Sequence, residues 1–235
     1  MSAKLLAEFF GTMLLVLLGD GVCANCTLNK SKGQNSGWIV ITAGWALAVM
    51  LPAYIFGGVS GAHFNPALTI ALAVVGKFPA AEVPGYIIAQ MLGGFVGAVL
   101  VYITYYQHWK ETPDKAAKLG IFCTAPAIRN YGSNFLTEVM ATGVLVYVIV
   151  GMGGVKAADG IGTLVVGGLI MGLGLSLGGP TGYAMNPARD LAPRIAHAVL
   201  PIPGKGDSDW TYSWVPVFGP IVGGILAALL YIAFF

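Results

Sequence analysis

Two copies of an Asn-Pro-Ala box are the residues of this chain whose types and spacing most clearly suggest chemistry. They consist of Asn65, Pro66 and Ala67, and of Asn186, Pro187 and Ala188. An asparagine followed by a proline begins a helix, because the Asn side chain caps free backbone N–H groups and proline fits the first turn. Each Asn also carries an amide that can donate hydrogen bonds. The boxes therefore combine a helix start with a hydrogen-bond donor.

Arg189 follows the second box directly, in a stretch surrounded by long apolar runs. Placing an arginine in the middle of a membrane helix costs about 2.5–3.5 kcal/mol, even on the insertion scale that gives the lowest values. Its guanidinium stays charged at any relevant pH, so we expect it to meet water, a carboxylate or backbone carbonyls. A structural ion pair, for example with neighbouring Asp190, is the alternative to a role in binding a solute.

The composition defines the class of protein in which these residues work. The chain has 235 residues, of which 57% are hydrophobic and 9% are charged, and its mean hydropathy is +0.79. Soluble domains carry about 25% charged residues. The net charge is +2 without a basic patch, which argues against nucleic acid as a partner, and the three cysteines form no disulfide framework. The sequence therefore predicts an integral membrane protein without a cofactor or a metal.

The apolar runs divide into long and short segments. A membrane-spanning helix needs about 20 apolar residues to cross roughly 30 Å of hydrocarbon. Six segments are long enough: 3–24, 38–56, 83–105, 135–153, 161–177 and 214–234. Segments 66–75 and 187–200 are too short to span, and each begins at the proline of a box. We therefore predict six full helices and two half-helices, with polar connectors that include residues 106–134.

The two halves of the chain resemble each other. Residues 57–69 align with 178–190, Glu8 with Glu138, and residues 90–94 with 220–224, in the same order. Each half holds three spans, an odd number, so the second copy enters the membrane from the opposite side, an inverted repeat that is known from transport proteins. We predict a single domain over residues 1–235, with repeats over about 1–110 and 131–235 and a connecting loop over about 106–133.

This inversion has a geometric consequence for the boxes. Ten helical residues rise about 15 Å, so two half-helices that enter from opposite faces meet near the midplane. Asn65 and Asn186 would then face each other at the centre. The glycine-rich segments before the boxes must be extended, and such backbone is tolerated at membrane depth only where it is buried in protein or lines a watery cavity. The sequence therefore predicts a pore.

The boxes in their context, "SGAHFNPALT" and "GYAMNPARD", resemble the major intrinsic protein family of water and solute channels, and the resemblance covers essentially the whole chain. It implies an all-α integral membrane protein, an aquaporin-like right-handed bundle of six transmembrane helices plus two re-entrant half-helices in an inverted repeat. It implies that the amides of Asn65 and Asn186 donate to passing oxygens, and that the protein is a homotetramer with one pore per subunit. Asp190 resembles the glycerol-conducting branch.

The family pattern also implies a selectivity filter, formed by position from Trp45, Gly174, Tyr183 and Arg189. Water-only members generally have histidine at the position of Gly174 and a small residue at that of Tyr183. Glycine is therefore expected to widen the pore, and the two aromatic rings to form a corner facing Arg189. Such a corner suits a polyol, with apolar faces for its C–H edge and donors for its hydroxyls. Many bacterial glycerol facilitators have Phe at the position of Tyr183, whose hydroxyl could narrow the filter or add a hydrogen bond.

Backbone carbonyls complete the predicted pore wall. They belong to Gly61, Ala62, His63 and Phe64, and to Gly182, Tyr183, Ala184 and Met185. His63 is either a pore-lining gate or a hydrogen-bonded structural residue, and we favour the second. Glu8 and Glu138 are membrane-embedded carboxylates, and their duplicated positions indicate a structural task, bonding the bent backbones before the half-helices. We also predict Asp190 to be a buried structural residue.

These features predict a passive channel in the lipid bilayer for glycerol, water and other small neutral solutes, which excludes protons and ions. The alternatives are a water-selective channel, a broad channel for urea or protonated small organic acids, and, less favoured, a secondary transporter, since broken helices in inverted repeats also build those. An intramembrane enzyme is not supported, because no Ser/His pair or carboxylate dyad is evident. We expect a multi-pass protein of a prokaryotic plasma membrane, with both termini in the cytoplasm, although the loop charges oppose the positive-inside tendency.

Overall fold

The computed structural model describes residues 2–156 and 158–235, which form helices and their connections without a β-strand in these ranges. Ten α-helices follow one another along this part of the chain. They are α1 (Ala3–Thr27), α2 (Trp38–Ser60), α3 (Pro66–Val74), α4 (Val83–Thr104), α5 (His108–Glu111), α6 (Lys115–Phe122), α7 (Tyr131–Met152), α8 (Ile161–Leu177), α9 (Pro187–Val199) and α10 (Val215–Phe234). A short 3-10 turn, Ala80–Glu82, precedes α4.

The prediction of six full helices and two half-helices is confirmed. Five helices (α1, α2, α4 with its 3-10 turn, α7 and α10) are long and apolar enough to cross a membrane, with at least 20 residues each. The sixth, α8, is apolar and has 17 residues, which is the short end of the range of about 17–25 residues for a spanning helix. In contrast, α3 has 9 residues and α9 has 13, so neither crosses on its own.

The prediction that residues 106–134 are a polar connector was incomplete, because two short helices lie within it. The Asp114 carboxylate caps α6 by accepting hydrogen bonds from the N–H groups of Ala116 and Ala117, at 2.8 and 3.2 Å. Trp109 of α5 is fully buried and stacks between the rings of Tyr102 and Phe122. The helix α6 packs against α1 and α9. This segment is thus part of the bundle, and it lies against the second half-helix.

Glycines let the helices of each half approach closely. A Cβ added at Gly93 of α4 would lie 2.2 Å from the carbonyl oxygen of Phe9, and one at Gly97 would lie 2.5 Å from that of Met13. In the second half, a Cβ at Gly223 of α10 would lie 2.1 Å from the carbonyl oxygen of Val139. The pairs α1–α4 and α7–α10 are therefore packed in the same way, as expected for a structural repeat.

Gly168 and Gly172 of α8 are spaced four residues apart like Gly93 and Gly97, but they do not serve packing within the described chain. A Cβ added at either position would meet nothing within 4 Å, and both residues are exposed. Spacing alone does not distinguish this pair from Gly93 and Gly97, because the face that a glycine presents depends on how its helix is rotated in the bundle.

Replacing Gly223 with alanine should lower the thermal stability of the detergent-solubilised protein by several degrees. The added methyl group would overlap the backbone of α7, and overpacking of this kind typically costs about 1–3 kcal/mol. The matched control is Gly21→Ala in α1, where a Cβ would meet nothing within 4 Å. Unfolding can be followed by circular dichroism, and equal melting temperatures of the two variants would contradict the packing described for α7 and α10.

Candidate functional site

The two Asn-Pro-Ala boxes meet in the middle of the bundle. Each Asn side chain is nearly buried and accepts, through Oδ1, a hydrogen bond at 2.9 Å from the backbone N–H two residues later. Its Nδ2 crosses to the residue that precedes the other box: Asn65 donates to the Met185 carbonyl and Asn186 to the Phe64 carbonyl, both at 2.8 Å. The segments that lead into the two half-helices are thereby joined reciprocally. One hydrogen of each amide lies outside these bonds.

The other residues of the boxes position the asparagines. Pro66 and Pro187 are the first residues of α3 and α9. Ala67 and Ala188 are fully buried, and their carbonyl oxygens lie against Gly224 of α10 and Gly94 of α4, where a Cβ would be 3.4 and 2.8 Å away. Each half-helix therefore starts directly against a full helix, and at Gly94 this leaves no room for a side chain.

The segments leading into the boxes have an unusual backbone. Two glycines, Gly61 and Gly182, have positive φ angles, as do Ala62, Phe64, Tyr183 and Met185, whose φ angles lie between 39° and 51°. A non-glycine residue in this left-handed region costs roughly 1–2 kcal/mol. The same alternation occurs in both halves. It turns successive carbonyls away from helical partners, so neighbouring groups must hold this conformation.

Glu8 holds the first of these segments. Its carboxylate is fully buried and accepts hydrogen bonds from the backbone N–H groups of His63 at 3.0 Å and Phe64 at 2.7 Å. It also accepts from the Ser60 hydroxyl at 2.6 Å and from the Gln90 amide at 2.8 Å.

Glu138 makes the equivalent contacts in the second half. It is fully buried, and its carboxylate accepts from the N–H groups of Ala184 at 3.1 Å and Met185 at 2.9 Å, and from the Thr181 hydroxyl at 2.7 Å. In both halves one carboxylate thus satisfies two backbone donors of the left-handed segment, which a buried chain turn at membrane depth requires.

A cavity of about 330 Å³ runs along these segments. The predicted pore residues that line it are Trp45, Gly61, Ala62, His63, Phe64, Asn65, Tyr183, Ala184, Met185, Asn186 and Arg189. Much of the remaining wall is apolar: Leu15, Val49, Ala53, Leu68, Leu72, Leu145, Ile149, Met152, Val166 and Ile170. Gly174, Gly182 and the proline and alanine of each box do not belong to the lining. The cavity therefore has polar backbone and amide groups and an extended apolar surface.

Arg189 lies at the aromatic side of this cavity. Its guanidinium carbon is 3.9 Å from the centroid of the Trp45 ring, a cation–π contact, and the Trp45 N–H is directed to the Cys23 sulfur at 3.4 Å. Within residues 2–156 and 158–235, the guanidinium donates no hydrogen bond to a protein acceptor. Its N–H groups are therefore available to a solute in the cavity.

The ion pair considered for Arg189 and Asp190 does not form. Asp190 is fully buried and accepts hydrogen bonds at 3.1 and 2.9 Å from Arg194, one helical turn later, and at 2.7 Å from both the N–H and the hydroxyl of Thr124. Neighbouring residues on a helix point to different sides, whereas residues four apart share a face. Arg189 is instead closest to the carboxylate of Asp20 in α1, with Nη1 and Oδ1 3.7 Å apart.

Arg194 joins the Asp190 carboxylate to the loops that follow α6 and α9. Its guanidinium also donates to the carbonyls of Thr124, Ser208 and Asp209, at 2.8 to 3.0 Å. The Asp190–Arg194 pair thus ties the segments after α6 and α9 to the second half-helix. The sequence reading missed Arg194, although an arginine inside an apolar half-helix is itself a signal.

Gly174 does not line the cavity, although glycine at this position was expected to widen the pore directly. A Cβ at this position would lie 2.8 Å from Cζ and 2.9 Å from the hydroxyl of Tyr183, and 2.7 Å from the methyl group of Thr42. The Tyr183 ring thus occupies the space that a side chain at 174 would fill, and Trp38 packs edge-on against it at 5.8 Å. Glycine makes room for the ring beside the cavity. The Tyr183 hydroxyl has no hydrogen-bond partner in the described chain.

His63 lies in the cavity wall with its ring fixed by neighbours. The Nδ1 atom is 3.1 Å from the Thr69 hydroxyl, and the ring packs against those of Phe78 and Tyr86 at 4.8 and 5.2 Å. These contacts are those of a hydrogen-bonded structural residue.

Asp20 is the residue of this site that sequence reasoning missed. It is a fully buried acid within α1 and directly follows Gly19, the residue that faces the Trp45 ring. The signal was present, because an ionisable residue inside a transmembrane run is a functional candidate by default. The inverted repeat concealed it, since Asp20 has no acidic counterpart in the second half. No cluster of three His, Cys, Asp or Glu side chains in the described residues could hold a metal.

Known proteins resemble this chain over nearly its whole length. A model of the major intrinsic protein family matches residues 1–231. A probable glycerol uptake facilitator protein of Thermotoga maritima is 65% identical over 226 residues, 96% of this chain and 97% of that protein. The glycerol uptake facilitator protein of Bacillus subtilis is 58% identical over 228 residues, 97% of this chain and 83% of that protein. The X-ray structure of the aquaglyceroporin from Plasmodium falciparum matches with a TM-score of 0.88 at 31% identity, covering 97% of this chain and 94% of that one.

Proposed function

The chain belongs to the major intrinsic protein family, and from this premise we propose that it is a passive channel for glycerol and other small neutral solutes, and for water, that excludes protons and ions. Members of this family are channels and not enzymes. The names of the two relatives and of the structural neighbour support glycerol as a substrate. The observation that carries the proposal is the cavity itself, which joins an apolar wall to the two Asn-Pro-Ala boxes and to Arg189.

A linear polyol matches this arrangement of groups. Its carbon edge would lie against the apolar wall and the Trp45 ring, while its hydroxyls would accept from Arg189 and the Asn amides. The carbonyls of Ala62, Ala184 and their neighbours would accept from the same hydroxyls. Because the wall would replace most of the hydration of the polyol, entry would not require binding energy from any single strong contact.

Charged solutes and protons would be excluded by the centre of the channel. Both half-helices begin at the boxes, and each helix N-terminus carries about half a positive charge, which repels cations. A water that accepts hydrogen bonds from Asn65 and Asn186 would be oriented with its hydrogens away from both. Waters on either side would then be oriented in opposite directions, and the chain of like-oriented waters that proton transfer needs would be interrupted.

The protein is an integral membrane protein, and we propose that it functions as a homotetramer in a prokaryotic plasma membrane. Bacterial sources of the two relatives support the location. The exposed glycines Gly168 and Gly172 on α8 form a surface of small residues, which permits close contact between helices in lipid. Each subunit would keep its own pore, since both half-helices come from one chain.

Stopped-flow light scattering on vesicles that hold the purified protein tests the proposal. We expect rapid glycerol and water flux relative to empty vesicles, with no proton entry reported by a trapped pH dye. In the Leu72→Trp variant both fluxes should fall, because Leu72 lines the cavity, whereas Leu92→Trp on the exposed face of α4 should conduct normally.

Each alternative has its own outcome in this experiment. Water flux without glycerol flux would indicate a water-selective channel, and urea or protonated acids that pass as fast as glycerol would indicate a broad solute channel. Glycerol flux that equals that of empty vesicles, or that is equally fast in Leu72→Trp, would contradict a glycerol pathway through this cavity.

A further inference from the structure

The channel proposed above assigns no role to the buried carboxylate of Asp20. It is fully buried in α1, and neither of its oxygens has a hydrogen-bond partner within residues 2–156 and 158–235. A buried carboxylate without hydrogen bonds is costly unless a nearby positive charge compensates it. The only cation within ion-pair distance in the described chain is Arg189, whose Nη1 lies 3.7 Å from Oδ1. This distance is too long for a hydrogen bond, so the contact is electrostatic.

The same turns of α1 also support the Trp45 ring. A Cβ at Gly19 would lie 2.2 Å from that ring, so the ring packs directly on the backbone of α1. Cys23, one turn further, accepts the Trp45 N–H at 3.4 Å. Gly19, Asp20 and Cys23 therefore place an aromatic face and a negative charge beside one guanidinium.

We propose that Asp20 is a positioning residue of the selectivity filter. Its charge attracts the Arg189 guanidinium toward α1. In this position the guanidinium lies over the Trp45 ring and leaves the lumen open to a polyol. The carboxylate also offsets the charge of Arg189, so the filter presents N–H donors to a neutral solute without a strong field that would retain anions. This inference rests on the proposed function, because it concerns how the same filter favours glycerol.

A structural role alone would have different consequences. If Asp20 only stabilised the fold, its loss would lower stability and all fluxes together, whether or not Arg189 were present. If it acts through Arg189, its loss changes the choice between solutes, and only while the guanidinium is there. Residues that act through one another give non-additive effects in a double-mutant cycle.

The test is a cycle of four proteins in vesicles: wild type, Asp20→Asn, Arg189→Gln and the double variant. The readout is the ratio of glycerol to water permeability. We expect Asp20→Asn to lower this ratio about fivefold, because the released Arg189 side chain enters the lumen and obstructs glycerol, the larger solute. The same substitution should have almost no further effect when Arg189 is absent. Asp20→Val removes the charge without leaving a buried amide, and it should give the same shift if Asp20→Asn folds poorly. Glu82→Gln, an acid-to-amide change at an exposed site, is the matched control and should leave the ratio unchanged.

Two results would overturn the inference: an unchanged ratio in the folded Asp20 variants, or an effect of Asp20→Asn that is as large without Arg189 as with it. Water permeability is a second readout of the same four proteins, and any effect of Asp20→Asn on it should likewise disappear when Arg189 is absent. A wild type that conducts water but not glycerol would therefore contradict the proposed function, while the water cycle would still decide whether Asp20 acts through Arg189.

Discussion

Vesicles carrying the Gly174→His protein should conduct glycerol about tenfold more slowly than wild type, which corresponds to roughly 1.4 kcal/mol in the barrier, and should lose much less water permeability. A Cβ at position 174 would lie 2.8 Å from Cζ of Tyr183 and 2.7 Å from the Thr42 methyl group. The substitution therefore displaces the Tyr183 ring toward the lumen and narrows the filter. A narrower filter obstructs a polyol more than a single water. Stopped-flow light scattering measures both fluxes.

Two substitutions by smaller residues separate displacement of the Tyr183 ring from effects of the imidazole that Gly174→His introduces. Gly174→Ala should already reduce glycerol flux, because its methyl group meets the same atoms. Adding Tyr183→Val should then restore glycerol flux, since the displaced ring is gone. Equal losses of glycerol and water in Gly174→His, or no recovery in the double variant, would show that position 174 does not select through the Tyr183 ring.

The Glu138→Gln protein should lose most of its glycerol and water flux, and its melting temperature in detergent should fall by several degrees. The wild-type carboxylate accepts from the N–H groups of Ala184 and Met185 and from the Thr181 hydroxyl. An amide replaces one acceptor oxygen by a donor, so at least one buried N–H loses its partner at a cost of about 1–3 kcal/mol. The loss falls on the segment that contains the left-handed residues Tyr183 and Met185.

Glu8→Gln should have the same effect, since Glu8 bonds the equivalent segment through His63 and Phe64. Glu111→Gln is the matched control, because this acid is partly exposed and pairs with Lys30 at the surface. Flux and circular dichroism of the three variants can be measured in parallel. Normal flux in Glu138→Gln would mean that the carboxylate is not needed to hold the segment before the second half-helix.

The helices could largely be predicted from the sequence because their signals are local. Apolar length alone placed α8 at 161–177, and the Asn-Pro starts placed the first residues of both half-helices at Pro66 and Pro187. Duplication with an odd number of spans then required opposite entry of the two halves. The reciprocal bonds of Asn65 and Asn186 to the opposite segments agree with this geometry.

The partners of the charged residues could not be predicted in the same way. Arg189 lies near Asp20 and not Asp190, because the pairing depends on how α1 and α9 are rotated against each other. The contact of Gly174 with Tyr183 depends likewise on packing between α8 and the segment before α9. Such contacts join distant parts of the chain, and residue types and spacing carry no information on rotation about a helix axis.

The short helix α6 is an intermediate case. Asp114 followed by Lys115, Ala116 and Ala117 is a capped helix start that a local reading could have found. The polar composition of residues 106–134 and the search for spans of about 20 residues concealed it. The contact of this segment with the second half-helix depends in addition on Thr124 reaching Asp190, which is again a contact between distant residues.

Passive passage of glycerol through this protein is tested most directly by following labelled glycerol into vesicles with and without an imposed proton or sodium gradient. We predict an initial rate proportional to the glycerol gradient, net movement that stops when the two concentrations are equal, and no influence of either ion gradient. Saturable entry, or accumulation of glycerol above the external concentration when an ion gradient is imposed, would contradict the channel and indicate a secondary transporter.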